Sequence, residues 1–162
     1  MPFLNKDGIE VSDAEIFNNA PYVLVPINGP TYTQLSSFIS SLGCRVIELT
    51  AKKHDELVAL ISHIPFLMAA LTVHCTTAVD TSDQNILSEI LSSGFKDTTR
   101  VAGASSEWGR DVCEMNRDAI LSGLKTIQTK LAGLMSALES GDLSVVSDTL
   151  QQAQSIRQKL VS

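Results

Sequence analysis

Residues 92–103 read SSGFKDTTRVAG, and within them Lys96, Asp97, Thr98, Thr99 and Arg100 bring five polar side chains together in a row. An arginine offers a planar fork of N–H donors that matches a carboxylate, so Arg100 is a candidate anion site. The competing reading pairs Asp97 with Arg100 in a solvated turn. Ser62 and His63, just before Pro65, form a second candidate cluster. A proline inside a helix gives no N–H and clashes with the carbonyl four residues earlier, so a kink is expected beside them, where polar side chains can meet a ligand. A core histidine satisfied by one hydrogen bond is the plainer alternative. Trp108, the single tryptophan, is either core or an anchor at a ligand mouth or subunit contact.

Other chemistry finds no support. The histidines at 54, 63 and 74 are spaced nine and eleven apart, which suits no pair of metal ligands on adjacent helical turns, and no metal site is expected. The three cysteines, Cys44, Cys75 and Cys113, form neither a C-x-x-C motif nor an even framework, and they fit a reducing cytoplasm. No two of the nine glycines are separated by a single residue, so the dinucleotide fingerprint G-x-G-x-x-G is absent; so are a P-loop and a G-x-S-x-G elbow. A helical mutase pocket needs several converging cations, and only one arginine here is well placed.

These side chains must be held by a folded chain. With 44% hydrophobic and 19% charged residues in 162, the composition is that of a globular protein. A formal charge of −6 opposes nucleic acid and anionic lipid, and the only adjacent basic pair is Lys52-Lys53. Ser62, His63 and Pro65 interrupt the most apolar stretch, residues 57–73, so no membrane span is expected, and the acidic start does not read as a signal peptide.

The run PYVLVP (21–26) reads as a strand and Asn28-Gly29 as a turn. Leu35, Phe38, Ile39 and Leu42 form one helical face closed by Gly43, and CRVIEL (44–49) reads as a second, parallel strand. Two strands make a poor sheet alone, so residues 1 to about 50 read as the end of an α/β domain whose earlier strands are missing. A small sheet packed on the helices, or completed by another chain, is the alternative. Residues 51–162 read as helical throughout. Leu57, Ile61, Ile64, Met68 and Leu71 predict a helix from Glu56 to about Ala78 with most of its girth buried. Thr81 and Gln84 form a capping-box pattern for a short helix ending at Gly94, and residues 94–103 read as a loop. Ser105 or Ser106 starts a long helix to about Ser140, with a seam of Ile120, Leu124, Ile127, Leu131, Leu134 and Leu138; Gly141 stops it, and Asp142 caps a last antiparallel helix.

Taken in order, NAPYVLVP, LGCRVIELTAKKHDELVALISHIPFLMAAL and SSGFKDTTRVAGASSEWGRDVCEMNRDAIL resemble the C-terminal half of the prephenate and arogenate dehydrogenases of tyrosine biosynthesis, over nearly all of residues 8–125. The joint presence of S-H-x-P and G-F-[KR]-D-T-[ST]-R makes the resemblance specific. It implies a mainly α fold: a helical dimerisation and substrate-binding domain of the 6-phosphogluconate dehydrogenase C-terminal type (51–162), preceded by the βαβ portion of a Rossmann domain (1–50). It also implies a homodimer, NAD or NADP as cofactor, and an NAD(P)-dependent oxidative decarboxylation in a cleft between the two domains.

Residue by residue, the resemblance implies that Arg100 binds a substrate carboxylate in a loop shaped by Asp97 and Thr98. Ser62 and His63 line the same pocket, and Trp108 lies where the family places an aromatic contributed across the dimer. Asn116 matches a recurrent position, and Phe66 stands where many relatives carry a second histidine. The family's catalytic histidine belongs to a His-Pro motif of the Rossmann domain. No histidine here precedes proline, so no catalytic residue is expected in this chain and cofactor binding by it alone is not expected either. The expectation is a partial prephenate/arogenate dehydrogenase, leaning to arogenate and inactive alone. The alternative is a stand-alone dimeric binding module for an aromatic carboxylate or tyrosine.

Overall fold

The computed structural model describes residues 13–26, 30–80 and 82–161 and divides the chain into two compact units, Met1–Leu57 and Val58–Ser162.

In the first unit a 3-10 turn, Ala14–Phe17, leads into strand β1 (Pro21–Leu24), helix α1 (Pro30–Ser41) and strand β2 (Arg45–Glu48). The strands pair in parallel, Pro21 opposite Arg45 and Leu24 opposite Glu48, as the β-branched runs predict. The turn Asn28-Gly29 lies outside the described residues. After α1 the chain reverses through Gly43, whose φ of 89° is a left-handed conformation that a side chain would strain. Among the described residues of this unit, Leu24, Ile39 and Cys44 are the buried apolar ones. Of the four residues expected on the apolar face of α1, only Ile39 is buried; Leu35, Phe38 and Leu42 are exposed, because a two-stranded sheet covers one narrow strip of a helix. The Tyr32 hydroxyl is covered and lies near the Glu48 carboxylate. The Glu48 carboxylate, as acceptor and as negative charge, pushes that phenol up to about 12.

Helix α2 (Ala51–Val58) opens an unbroken helical run through a π turn (Ala59–His63) and α3 (Ile64–Cys75) to a 3-10 turn ending at Ala78. Pro65 therefore does not end the helix. At position 65 it lacks the N–H that an α-helix would direct at Ile61, and the chain widens by one residue instead, so that Ile64 N–H reaches the Ala59 carbonyl. Ser62, His63 and Pro65 do not break the helix, and by length and composition alone the 28-residue run is long and apolar enough to cross a membrane, its most apolar 18 residues having a mean hydropathy of 1.8. The expectation of a mostly buried girth also fails. Ala59, Ile64 and Ala69 are buried, whereas Ile61 is 75% and Leu71 55% exposed.

In the second unit, α4 (Gln84–Ile90) begins after Asp83, so Gln84 opens the helix instead of closing a capping box; Thr81 lies outside the described residues. The segment read as a loop is helical: α5 (Ser93–Thr99) runs into a 3-10 turn (Arg100–Gly103). Ser92 takes an extended N-cap conformation, the Thr99 hydroxyl donates to the Phe95 carbonyl at 2.7 Å, and Gly94 occupies the first turn, where glycine costs least.

Ser105 caps α6 (Ser106–Met115), accepting from Trp108 N–H at 3.4 Å, and Asn116 separates α6 from α7 (Arg117–Ser140). The expected single helix is thus two. Gly141, at φ 74°, ends α7, and α8 (Leu143–Val161) packs back along it as expected. Asp142 accepts from the Ser144 N–H and hydroxyl, which hold its carboxyl below the usual range.

The core of this unit depends on small residues. Gly109 lies against the Phe66 ring, and a Cβ on Gly123 would overlap Ile64 Cδ1, so side chains of α3 seat directly on the backbones of α6 and α7. Of the predicted seam on α7, Ile120 is buried, Leu124, Ile127 and Leu134 are half-buried, and Leu131 and Leu138 are exposed. No residue of α8 is buried. Many large apolar side chains therefore face outward in the single chain.

Candidate functional site

The π turn carries Ser62 and His63. A π turn adds a residue to the helix and rotates the side chains that follow, which is why such turns recur at functional sites. Ser62 is exposed and His63 half-buried. The π turn packs against α7, and at the start of α7 the Asn116 amide nitrogen lies 3.3 Å from His63 Nδ1. Asn116 adopts φ −122°, ψ 34°, outside the α-helical region, yet its own N–H reaches the Val112 carbonyl at 3.0 Å and its carbonyl accepts from Ile120 N–H at 3.1 Å. The break therefore re-aims a side chain without orphaning the backbone at that residue.

Phe66, one turn beyond His63, meets Trp108 edge to face, with ring centroids 5.2 Å apart and planes at 81°. Trp108 is 45% exposed, so it is neither core nor fully solvated. Arg100, Asp97 and Thr98 are exposed on α5 and at the start of its 3-10 turn; that turn packs on α3, and the buried Thr99 anchors it. The elements bearing the two halves of the expected site thus meet through α3. Side-chain contacts among the described residues include His63 with Asn116 and Phe66 with Trp108. A separate cavity of about 530 Å³, lined by Leu67, Cys113, Ile120, Leu121 and Leu124 with Arg110, Glu114 and Arg117, involves none of the predicted site residues.

Sequence reasoning matched Asn116 to a family position without a role, and it did not pair Phe66 with Trp108. The legible signal for Asn116 was a poor helix former amid an otherwise helical apolar pattern. Among the described residues no cluster of three His, Cys, Asp or Glu could hold a metal ion.

The described glycines do not form a phosphate cradle. Gly43 and Gly141 follow helix ends, Gly109 and Gly123 are helix contacts, and Gly94, Gly103 and Gly133 lie within helical segments. The strand-to-helix connection 25–29 holds one glycine. This does not fit a dinucleotide pyrophosphate, which needs several close backbone approaches at a helix N-terminus.

Residues 50–152 match the family model for the prephenate dehydrogenase dimerization domain. The chain belongs to this family. It is 29% identical over 120 residues to the prephenate dehydrogenase of Bacillus subtilis, covering 72% of this chain and 32% of that protein. Synechocystis arogenate dehydrogenase superposes with a TM-score of 0.81 at 30% identity, over 91% of this chain and 54% of that one. Prephenate dehydrogenase from A. aeolicus, solved in complex with hydroxyphenyl propionate and NAD+, shares the fold with a TM-score of 0.82 at 21% identity, over 96% of this chain and 55% of that one. The chain spans between a third and about half the length of the curated relatives it matches. The fold is mainly α, a prephenate dehydrogenase dimerization domain with a two-stranded parallel sheet ahead of it.

Proposed function

We propose that this chain supplies the dimer interface and the substrate-carboxylate site of a prephenate/arogenate dehydrogenase of tyrosine biosynthesis, and that it does not turn over by itself. The observation that carries the reading is the packing of the Arg100 turn on α3, the helix that continues directly from the His63 π turn, within the matched dimerization domain. Arg100 holds a carboxylate of a ring-bearing substrate; Asp97 and Thr98 shape its turn, and Ser62, His63 and Trp108 line the same pocket. The domain boundary lies near residue 50. Arogenate is favoured over prephenate by the likeness to the Synechocystis enzyme. Hydride transfer to NAD or NADP needs a phosphate-binding loop and a His-Pro base, and neither occurs in this sequence. The three cysteines, all free, fit a cytoplasmic setting. A second copy covers the outward-facing leucines and isoleucines, each worth about 1.5–3 kcal/mol when fully buried.

Two readouts on the same sample test this. Light scattering should give twice the 17.4 kDa chain mass. Mixing the chain with NAD or NADP and either arogenate or prephenate should give no nicotinamide reduction. A stable monomer overturns the dimer, and steady turnover overturns the half-site reading.

A further inference from the structure

Two irregularities of the second unit's helices meet at a side-chain contact. One is the π turn Ala59–His63, whose last residue is His63; the other is the break at Asn116 between α6 and α7. The Asn116 amide nitrogen faces His63 Nδ1 at 3.3 Å. An amide nitrogen only donates, so the Nδ1 it faces must be the bare, accepting nitrogen of the ring. A neutral imidazole with Nδ1 bare carries its proton on Nε2.

We propose that Asn116 is a positioning residue that locks His63 in the neutral Nε2–H tautomer, so that the ring serves the carboxylate site as a hydrogen-bond donor. This rests on the carboxylate reading given above. Asparagine can turn either a donor or an acceptor to the ring, and here its amide nitrogen faces Nδ1. The break costs nothing at Asn116's own backbone, since both its N–H and its carbonyl are bonded. Proline or glycine would also interrupt the helix, but neither could set the tautomer.

Nitrogen-15 spectra of the full 162-residue chain, with His63 assigned by its loss in His63→Gln, read the tautomer directly and without ligand. The expected result is an unprotonated Nδ1 and a protonated Nε2 in the neutral ring. In Asn116→Asp the carboxylate accepts, so the proton should move to Nδ1 and the ring should titrate at higher pH. Binding of hydroxyphenyl propionate should also weaken at least about tenfold in that variant, the scale of one hydrogen bond to a charged group. A wild-type proton on Nδ1, or an Asn116→Asp spectrum with the proton still on Nε2, overturns the proposal even if Asn116→Ala fails to fold. Arg100→Ala leaving hydroxyphenyl propionate binding unchanged overturns the carboxylate reading instead, because the tautomer is read independently of ligand.

Discussion

At the residue scale, glycines decide how closely the helices approach. Gly123 on α7 lies where any Cβ would overlap Ile64 Cδ1, and Ile64 is only 4% exposed, so it has little room to swing away. Gly123→Ala gains about 1 kcal/mol of helix propensity and loses about 1–3 kcal/mol to overpacking. A net destabilisation of about 1 kcal/mol is expected in urea unfolding. Ile64→Val removes the colliding methyl, so the double variant should be more stable than the two single effects added together. A stabilised Gly123→Ala would mean that Ile64 moves aside freely. The sequence singled out His63, Arg100 and Trp108 as candidates because their chemistry is written in residue type. It did not reveal the partner of His63, because a contact across 53 positions leaves no local pattern.

At the element scale, periodicity located most helices, and the failures have a common cause. Residues 93–103 look polar and irregular, yet a hydroxyl-to-carbonyl bond from Thr99 and the extended Ser92 help to hold them helical. Periodicity also marked leucines as the buried set, whereas the small residues Gly123, Ala137, Ala59 and Ala69 are among those buried. The Gly141-Asp142 turn was legible because both residues are local signals. Its Asp142 carboxyl is held low first by the Ser144 hydroxyl and then by the Ser144 N–H. A folded value below the unfolded 3.8 stabilises the hairpin above that pH, and the contribution is lost as pH falls through the folded value. Helicity followed by circular dichroism should therefore drop at the start of α8 on acidification below 3.8. Asp142→Asn keeps a capping oxygen and should flatten this response. An unchanged acid response in Asp142→Asn would assign it to other carboxylates.

For the whole molecule, the informative fact is how little of its apolar surface one chain covers. The helical run Ala51–Ala78 has only 17% of its most apolar stretch buried, and α8 buries no residue. A chain on its own should not leave so many leucines in water, and the homodimer proposed above would give that surface a second copy as its cover. Sequence patterning found the helices but not which faces a single chain could bury, because a partner leaves the same apolar signal as a core does. The central claim is that Arg100 binds the carboxylate of a ring-bearing ligand. Isothermal titration of the chain with hydroxyphenyl propionate tests it most directly. The account predicts saturable binding that falls at least about tenfold in Arg100→Ala, the loss of one charge-assisted pair, with the fold and subunit mass unchanged. Equal binding by the two proteins, or none by the wild type, would contradict it.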